Sequence, residues 1–140
     1  MQSAQILYPI FAMVLITVVL GFNMLRLRFR AVRQDGLHAG YFLYNRGAKP
    51  PEYLLRSEQH FTNLFETPML FYVVVILAYV TQHTDAINIT LAWLFVASRL
   101  LHAWQHLGYN TLTWRRRTFL ATIIILIVFW SRLFIQLITQ

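Results

Sequence analysis

Polar and ionisable side chains recur at helical spacing within two apolar stretches of this sequence, where unpartnered charges are costly. The first set is Arg56, Gln59, Asn63 and Glu66, and the second set is Arg99, His102, His106 and Asn110. At about 100° per residue, each set spans an arc of roughly 80° and forms one polar stripe along a helix. Two stripes on neighbouring helices are expected to face each other, with Glu66 and Arg99 paired at the greatest depth.

Hydrogen-bond donors outnumber carboxylates in these stripes. The surplus grows when Arg115, which follows the second stripe, is included. Such a surplus favours an anionic ligand over a self-contained network of ion pairs. The same residues also allow a simpler interpretation, in which the Glu66–Arg99 pair joins two helices and the remaining polar groups only pack or anchor the chain.

Other site chemistries find little support in the sequence. His102 and His106 are four residues apart and could share a metal ion, but Glu66 is the only evident third ligand and arginines crowd the same face. We therefore predict no metal site. The chain has no cysteine, which excludes disulfides and a protein thiol nucleophile. It also lacks a glycine-rich phosphate loop and a nucleophile elbow.

The elements that position these residues are four apolar runs, each close to the roughly 20 residues that cross a bilayer as a helix. Hydrophobic residues make up 58% of the 140-residue chain and charged residues only 12%, which is typical of membrane proteins. The predicted helices cover residues 6–27, 53–80, 87–108 and 117–138. The sequence thus predicts a single domain, residues 1–140, folded as an all-α integral membrane four-helix bundle.

Basic residues predict the orientation of this bundle. The net charge of +7 is concentrated in the connection after the first helix and in Arg115-Arg116-Arg117, whereas the connection between the second and third helices has no basic residue. By the positive-inside rule, both basic connections are cytoplasmic and both termini lie on the other side. Arg132, near the far end of the fourth helix, is expected to snorkel towards Asp85.

Because the positive charge lies beside apolar spans, we expect no nucleic-acid partner. Residues 1–5 carry no basic residue, so we expect the first run to be a retained helix rather than a signal peptide.

Three short motifs resemble a known family. Asn63-Leu64-Phe65-Glu66-Thr67-Pro68 resembles the Asn-x-x-Glu…Pro signature of the MAPEG family, the membrane-associated proteins in eicosanoid and glutathione metabolism. Arg99-Leu100-Leu101-His102 matches the family's Arg-x-x-His, and Arg115 falls at the spacing of its catalytic arginine. Arg26 and Arg28, at the end of the first helix, also fit. The early proline is similar to the bacterial pattern, so we expect a bacterial-type member in the inner membrane.

The resemblance implies a homotrimer that binds glutathione between subunits, in a site that faces the cytoplasm. Arg115 is implied to stabilise the glutathione thiolate, and Glu66 to hold the ammonium group while paired with Arg99. Asn63 and His102 are implied to hydrogen-bond the tripeptide, and Arg26 to meet one of its carboxylates. The other residues predicted to line this site are Arg28, Arg56, Gln59, His106 and Asn110. Two positions depart from the family, which often has an arginine where Gln59 stands and a tyrosine where His106 stands.

The predicted function is that of a glutathione-dependent transferase or peroxidase. A free thiol with a pKa of about 8.5 is only a few per cent ionised at neutral pH, so a nearby guanidinium raises the reactive fraction. The lipophilic electrophile or hydroperoxide is expected to arrive through the lipid bilayer. Two alternatives stay open from the sequence: a non-catalytic membrane scaffold with the same fold, and a small four-helix cation transporter with a titratable carboxylate in the membrane.

Overall fold

A computed structural model describes residues 4–47, 49–108 and 111–139, with the backbone alone at His106, Leu107 and Leu112. The described residues form helices and their connections, without a strand. A short 3₁₀ turn, Ala4–Leu7, leads into the first helix. The α-helices are α1 (Tyr8–Gln34), α2 (Tyr41–Tyr44), α3 (Glu52–Asn63), α4 (Thr67–Val80), α5 (Ala86–Leu107) and α6 (Leu112–Ile138).

Four stretches of the described chain are long and apolar enough to cross a membrane. They are Ala4–Gln34, Glu52–Val80, Ala86–Gln105 and Thr113–Ile138. Many of their large apolar side chains point outward, as Phe11 and Phe134 do with 69% and 63% of their surface exposed. Such exposure is unfavourable in water and favourable in lipid, so the predicted all-α four-helix membrane fold is confirmed.

The bundle is held together by an apolar core between α1, α4, α5 and α6. Its centre is a parallel stack of Phe71 on Phe95, whose ring centroids lie 4.3 Å apart. Met13 and Phe129 are completely buried in the same cluster. Because lipid is as apolar as these side chains, the stability of this core comes from close packing rather than from exclusion of water.

The second membrane span is divided into α3 and α4, whereas the sequence predicts one continuous helix over residues 53–80. Pro68 lies in the first turn of α4, and Glu66 precedes that helix with φ −90° and ψ −83°. Proline cannot donate a backbone hydrogen bond, and its ring clashes with the carbonyl four residues earlier. The last turn of α3 tightens instead, with the Leu64 amide donating to the Phe61 carbonyl at 3.1 Å. The break falls within the predicted site.

Two ends of the bundle can be distinguished. At the basic end, α1 and α5 end and α3 and α6 begin; at the far end, α4 ends and α5 begins beside the last turns of α6. At the basic end the α1–α3 connection folds back, and Leu37 and Tyr41 are buried against Ala31 and Leu54. Burial, and then the nearby Glu58 carboxylate, raise the pKa of the Tyr41 hydroxyl. This packing fixes the start of α3 against the end of α1.

A polar network closes the far end, centred on Asp85. Its Oδ1 accepts hydrogen bonds from the Ile87 and Asn88 amides, both at 2.9 Å, and so caps α5. Its Oδ2 accepts from Arg132 Nη2 at 2.9 Å and from Gln136 Nε2 at 2.7 Å. The predicted proximity of Arg132 to Asp85 is therefore found.

Burial raises the pKa of Asp85, but the accepted hydrogen bonds and the Arg132 charge outweigh it and lower the pKa from 3.8. The contribution of the Asp85 carboxylate to folding stability is thus complete above pH 3.8 and is lost as the pH falls through its lower pKa in the folded protein.

Asn88 completes the far-end network. Its side chain is fully buried, and Nδ2 donates to the His83 carbonyl and to Gln136 Oε1, both at 2.9 Å. Its Oδ1 accepts from Arg132 Nε at 3.0 Å. One buried amide therefore ties the α4–α5 connection to α6.

We expect Asn88→Ala to lower the free energy of unfolding by about 1–3 kcal/mol, because it leaves buried partners without a hydrogen bond. Thr90→Ala is the matched control. Asn88-Ile89-Thr90 has the pattern of an N-glycosylation sequon, and both substitutions remove it, so a difference between the two variants does not come from that pattern. Thr90 is exposed and donates to the Ala86 carbonyl within its own helix. Thermal melting in detergent compares the two variants. Equal melting temperatures for them would mean that the far-end network does not stabilise the fold.

Candidate functional site

A cavity of about 240 Å³ lies at the basic end, where α3, α5 and α6 meet. Its lining residues are Asn63, His102, Arg115, Arg116 and Phe119. Three of them lie near helix ends that meet at this cavity. Asn63 ends α3, His102 lies in the last turns of α5, and Arg115 lies in the first turn of α6. Three residues singled out from the sequence thus converge on one cavity, together with a second arginine, Arg116, and an aromatic wall, Phe119.

The orientation of the His102 ring is fixed by Thr118. His102 is 3% exposed, and its Nδ1 lies 3.1 Å from Thr118 Oγ1. The Thr118 hydroxyl donates to the carbonyls of Trp114 and Arg115, both at 3.0 Å. Because its proton is committed to these carbonyls, Thr118 must accept from His102, which places the imidazole proton on Nδ1. In the neutral ring, His102 Nε2 then carries the lone pair that can accept a hydrogen bond or a proton.

Arg99 lies deeper than the cavity and is only partly satisfied. The side chain is 1% exposed, and Nη2 donates to the Asn63 carbonyl at 3.2 Å. That carbonyl is available because α3 ends at Asn63, so Arg99 acts as a cationic cap on the broken helix. Its Nε and Nη1 are buried, and the part of the chain that the structure describes offers them no hydrogen-bond partner. A buried guanidinium with two unsatisfied nitrogens is stabilised when an anionic group accepts hydrogen bonds from them.

The expected ion pair between Glu66 and Arg99 is not among the ion pairs of the described residues. Those pairs are Arg28–Glu58, Arg56–Glu52 and Arg132–Asp85. Glu66 follows the break in the second span, at the N-cap of α4, and its side chain is exposed on the protomer. The backbone at Glu66 is not helical, so this residue does not continue the polar stripe of α3 as one unbroken helix would. The Glu66 carboxylate nevertheless lies close enough to Arg99 to act on its charge through space, although the two are not among the ion pairs of the described residues.

Other residues predicted for the site are held elsewhere in the protomer. Arg28 donates from Nε and Nη2 to Glu58 Oε1, at 3.1 and 2.9 Å, and its guanidinium lies over the Phe42 ring. Arg56 pairs with Glu52 at 3.2 Å, one turn earlier in α3. Arg28 therefore joins α1 to α3, Arg56 pairs within α3, and neither lines the cavity. Arg26 and Gln59 are exposed on the protomer surface, the side chain of His106 is not described, and Asn110 lies outside the described residues.

His60 is a site neighbour that the sequence reasoning missed. It is 1% exposed, and its ring centroid lies 5.7 Å from that of His102. It precedes Asn63 by three residues, so it shares the polar face of α3. That spacing was the available signal, although a single histidine on a helix most often only packs. The described residues contain no group of three or more histidines and carboxylates that could hold a metal ion.

Comparison with protein families gives one match that covers nearly the whole chain. Residues 6–135 match the model of the MAPEG family. No curated protein and no solved structure matches the chain. The matched range contains all of the cavity residues and both polar stripes.

Proposed function

This chain belongs to the MAPEG family, and from that premise we propose that it is a membrane-bound glutathione transferase or peroxidase. Membership gives a function in membrane glutathione or eicosanoid metabolism. The narrower proposal rests on one observation, the convergence of Asn63, His102 and Arg115 on a single cavity at the basic end. An amide, an imidazole and a guanidinium are together suited to hold a peptide and to stabilise a negative sulfur.

Arg115 is proposed to keep the glutathione sulfur as a thiolate. It contributes to the cavity from the first turn of α6, beside Arg116, so the positive potential there is high. In conjugation, the thiolate forms a bond to an electrophilic carbon as the leaving group departs with the bonding electrons. In peroxide reduction, the thiolate attacks the terminal peroxide oxygen and the O–O bond breaks, which gives glutathione sulfenic acid and an alkoxide that takes a proton from water to become the alcohol. A second glutathione then attacks the sulfenic acid sulfur, giving the disulfide and water. Both reactions start from the same thiolate.

The carboxylates of glutathione are proposed to satisfy the basic groups around the cavity. Arg99 has two buried nitrogens without a hydrogen-bond partner among the described residues, which supports an anionic ligand at this depth. Arg26, Gln59 and Glu66 are exposed on the protomer rather than turned into the cavity. We therefore propose that a neighbouring subunit brings such residues to the site in a homotrimer, with Glu66 meeting the ammonium group.

The site is proposed to face the cytoplasm, with both termini on the other side of an inner membrane. The two arginine-rich connections lie at the basic end, which supports this orientation through the positive-inside rule. A lipophilic second substrate would then reach the cavity from the bilayer. Phe119, an apolar wall of the cavity, lies within the fourth membrane span.

Turnover in lipid vesicles tests the proposed activity. The purified protein should catalyse conjugation of glutathione to a chloronitrobenzene, reduction of a lipid hydroperoxide, or both. S-methylglutathione, which keeps both carboxylates but cannot form a thiolate, should inhibit competitively and support no turnover. Binding of glutathione without turnover of either substrate class would instead indicate the non-catalytic scaffold.

A further inference from the structure

Three arginines form a second basic surface on α1, away from the cavity just described. Relative to Arg26, Arg30 and Arg33 lie at roughly +40° and −20° around the helix, so all three share one stripe. All three are exposed, and they line a groove of about 310 Å³ together with Phe29 and Gln34. None of them takes part in the ion pairs of the described residues. The groove therefore has positive charge that the protomer leaves uncompensated.

The guanidinium groups at the outer end of this groove are held by aromatic rings. Arg30 lies over the Tyr53 ring at 5.1 Å from its centroid, and Arg33 lies over the Phe29 ring at 5.8 Å. Stacking on a ring face leaves the in-plane N–H groups directed outward to acceptors. Asp35 caps the end of α1, and its carboxylate accepts a hydrogen bond from the Tyr53 hydroxyl. The groove thus presents ordered donors without a carboxylate among its lining residues.

The depth of the groove matches the polar headgroups of a bilayer. The first apolar run ends at Leu25, but α1 continues for nine residues to Gln34. At about 1.5 Å per residue this extension is roughly 13 Å long, whereas the headgroup layer on each side of the hydrocarbon is about 5–8 Å thick. The arginine stripe must therefore cross the headgroup layer. Phe29, which is 55% exposed, gives it an apolar side.

We infer that this groove binds the phosphate of an anionic phospholipid in the leaflet at the basic end. The phosphate accepts hydrogen bonds from Arg30 and Arg33, and the glycerol and upper acyl chain lie against Phe29. A lipid is favoured over soluble phosphate because the groove opens within the headgroup layer, where lipid phosphates are concentrated. Arg26 is shared with the proposed glutathione site, but the two phosphate donors, Arg30 and Arg33, are not, so either proposal can fail without the other.

Native mass spectrometry of the protein with added lipid tests this site. Wild type should retain phosphatidylglycerol in preference to phosphatidylcholine. Arg30→Gln/Arg33→Gln should lose retention of phosphatidylglycerol by about tenfold or more, given the usual contribution of each basic residue near an anionic surface. The matched control is Arg46→Gln/Lys49→Gln, which removes the same two charges of the net +7 from exposed positions of the following connection. The control should change retention by less than about threefold.

Equal losses in the two double variants would overturn the site, because a general positive surface would then explain the lipid preference. Equal retention of the two lipids by wild type would overturn it as well. Displacement of phosphatidylglycerol by millimolar inorganic phosphate would reassign the groove to a soluble anion and overturn the lipid proposal. If the Arg30→Gln/Arg33→Gln variant does not fold, Arg33→Gln alone should still lose several-fold retention, since Arg33 stacks only on its own helix. Unchanged retention in that single variant would also count against the site.

Discussion

Replacing Arg115 by alanine should lower kcat for glutathione conjugation by about 10²-fold, the usual loss for one electrostatic donor at a developing or resident anion. Binding of glutathione should weaken far less, because other residues hold the carboxylates and the ammonium group. The expectation follows from the position of Arg115 on the cavity wall beside His102. Removing the guanidinium should also shift the pH dependence: activity of the variant should rise with pH as the thiol ionises unaided, near its ordinary pKa of about 8.5.

Arg117→Ala is the matched control for Arg115→Ala. Arg117 belongs to the same run of three arginines, is exposed, and lies over the Trp114 ring at 5.3 Å from its centroid rather than on the cavity wall. If the three arginines only anchor the chain at the membrane surface, the two alanine variants should behave alike. Equal kcat in Arg115→Ala and wild type, with a substrate that wild type turns over, would remove Arg115 from the mechanism.

Arg99→Met should weaken glutathione binding by about 10–100-fold without lowering the melting temperature of the ligand-free protein. Charge-assisted hydrogen bonds contribute about 1.5–3 kcal/mol each, which accounts for the lost affinity. Two of the Arg99 nitrogens are buried without a hydrogen-bond partner among the described residues. Replacing a buried charge whose hydrogen bonds are incomplete by an apolar side chain of similar length is commonly neutral or stabilising. Thermal melting with and without glutathione measures both effects on one sample.

Arg132→Met is the contrasting variant, because Arg132 is satisfied by Asp85 and Asn88 at the far end. It should lower the melting temperature and leave the shift produced by glutathione intact. A large destabilisation in Arg99→Met, with the glutathione shift preserved, would mean that a protein carboxylate already meets Arg99 in the assembled protein. Glu66 of a neighbouring subunit would then be the first candidate, and the anion-binding role of Arg99 would be wrong.

The four spans follow from the sequence because bilayer thickness sets their length and the apolar runs are continuous. The extension of α1 to Gln34, beyond the predicted end at residue 27, is less evident, since charged residues usually mark the end of a span. Arginine, alanine and glutamine nevertheless favour helix, and the backbone continues through them. The break before α4 is still harder to predict from the sequence. Pro68 is visible, but apolar residues continue on both sides of it, and proline in a membrane helix produces either a kink or a full break.

Within the site, periodicity on single helices predicts which residues share a face but not what each face meets. Asn63 and His102 come together because their stripes do face each other. Arg28 instead meets Glu58, thirty residues along the chain, and this pair depends on how α1 docks against α3. Glu66 differs from the prediction for a local reason, because the helix breaks at this residue and the polar stripe of α3 does not continue through it.

The central claim, that this protein binds glutathione as a thiolate, is tested most directly by titrating the purified wild-type protein with glutathione in lipid vesicles. The ultraviolet absorbance of the thiolate is recorded at a pH about two units below the ordinary thiol pKa of about 8.5, where free glutathione contributes roughly 1% thiolate. The account predicts an absorbance that rises with glutathione, saturates, and is reversed by S-methylglutathione. Saturable glutathione binding by calorimetry, with absorbance no higher than that of free glutathione at the same pH, would contradict it.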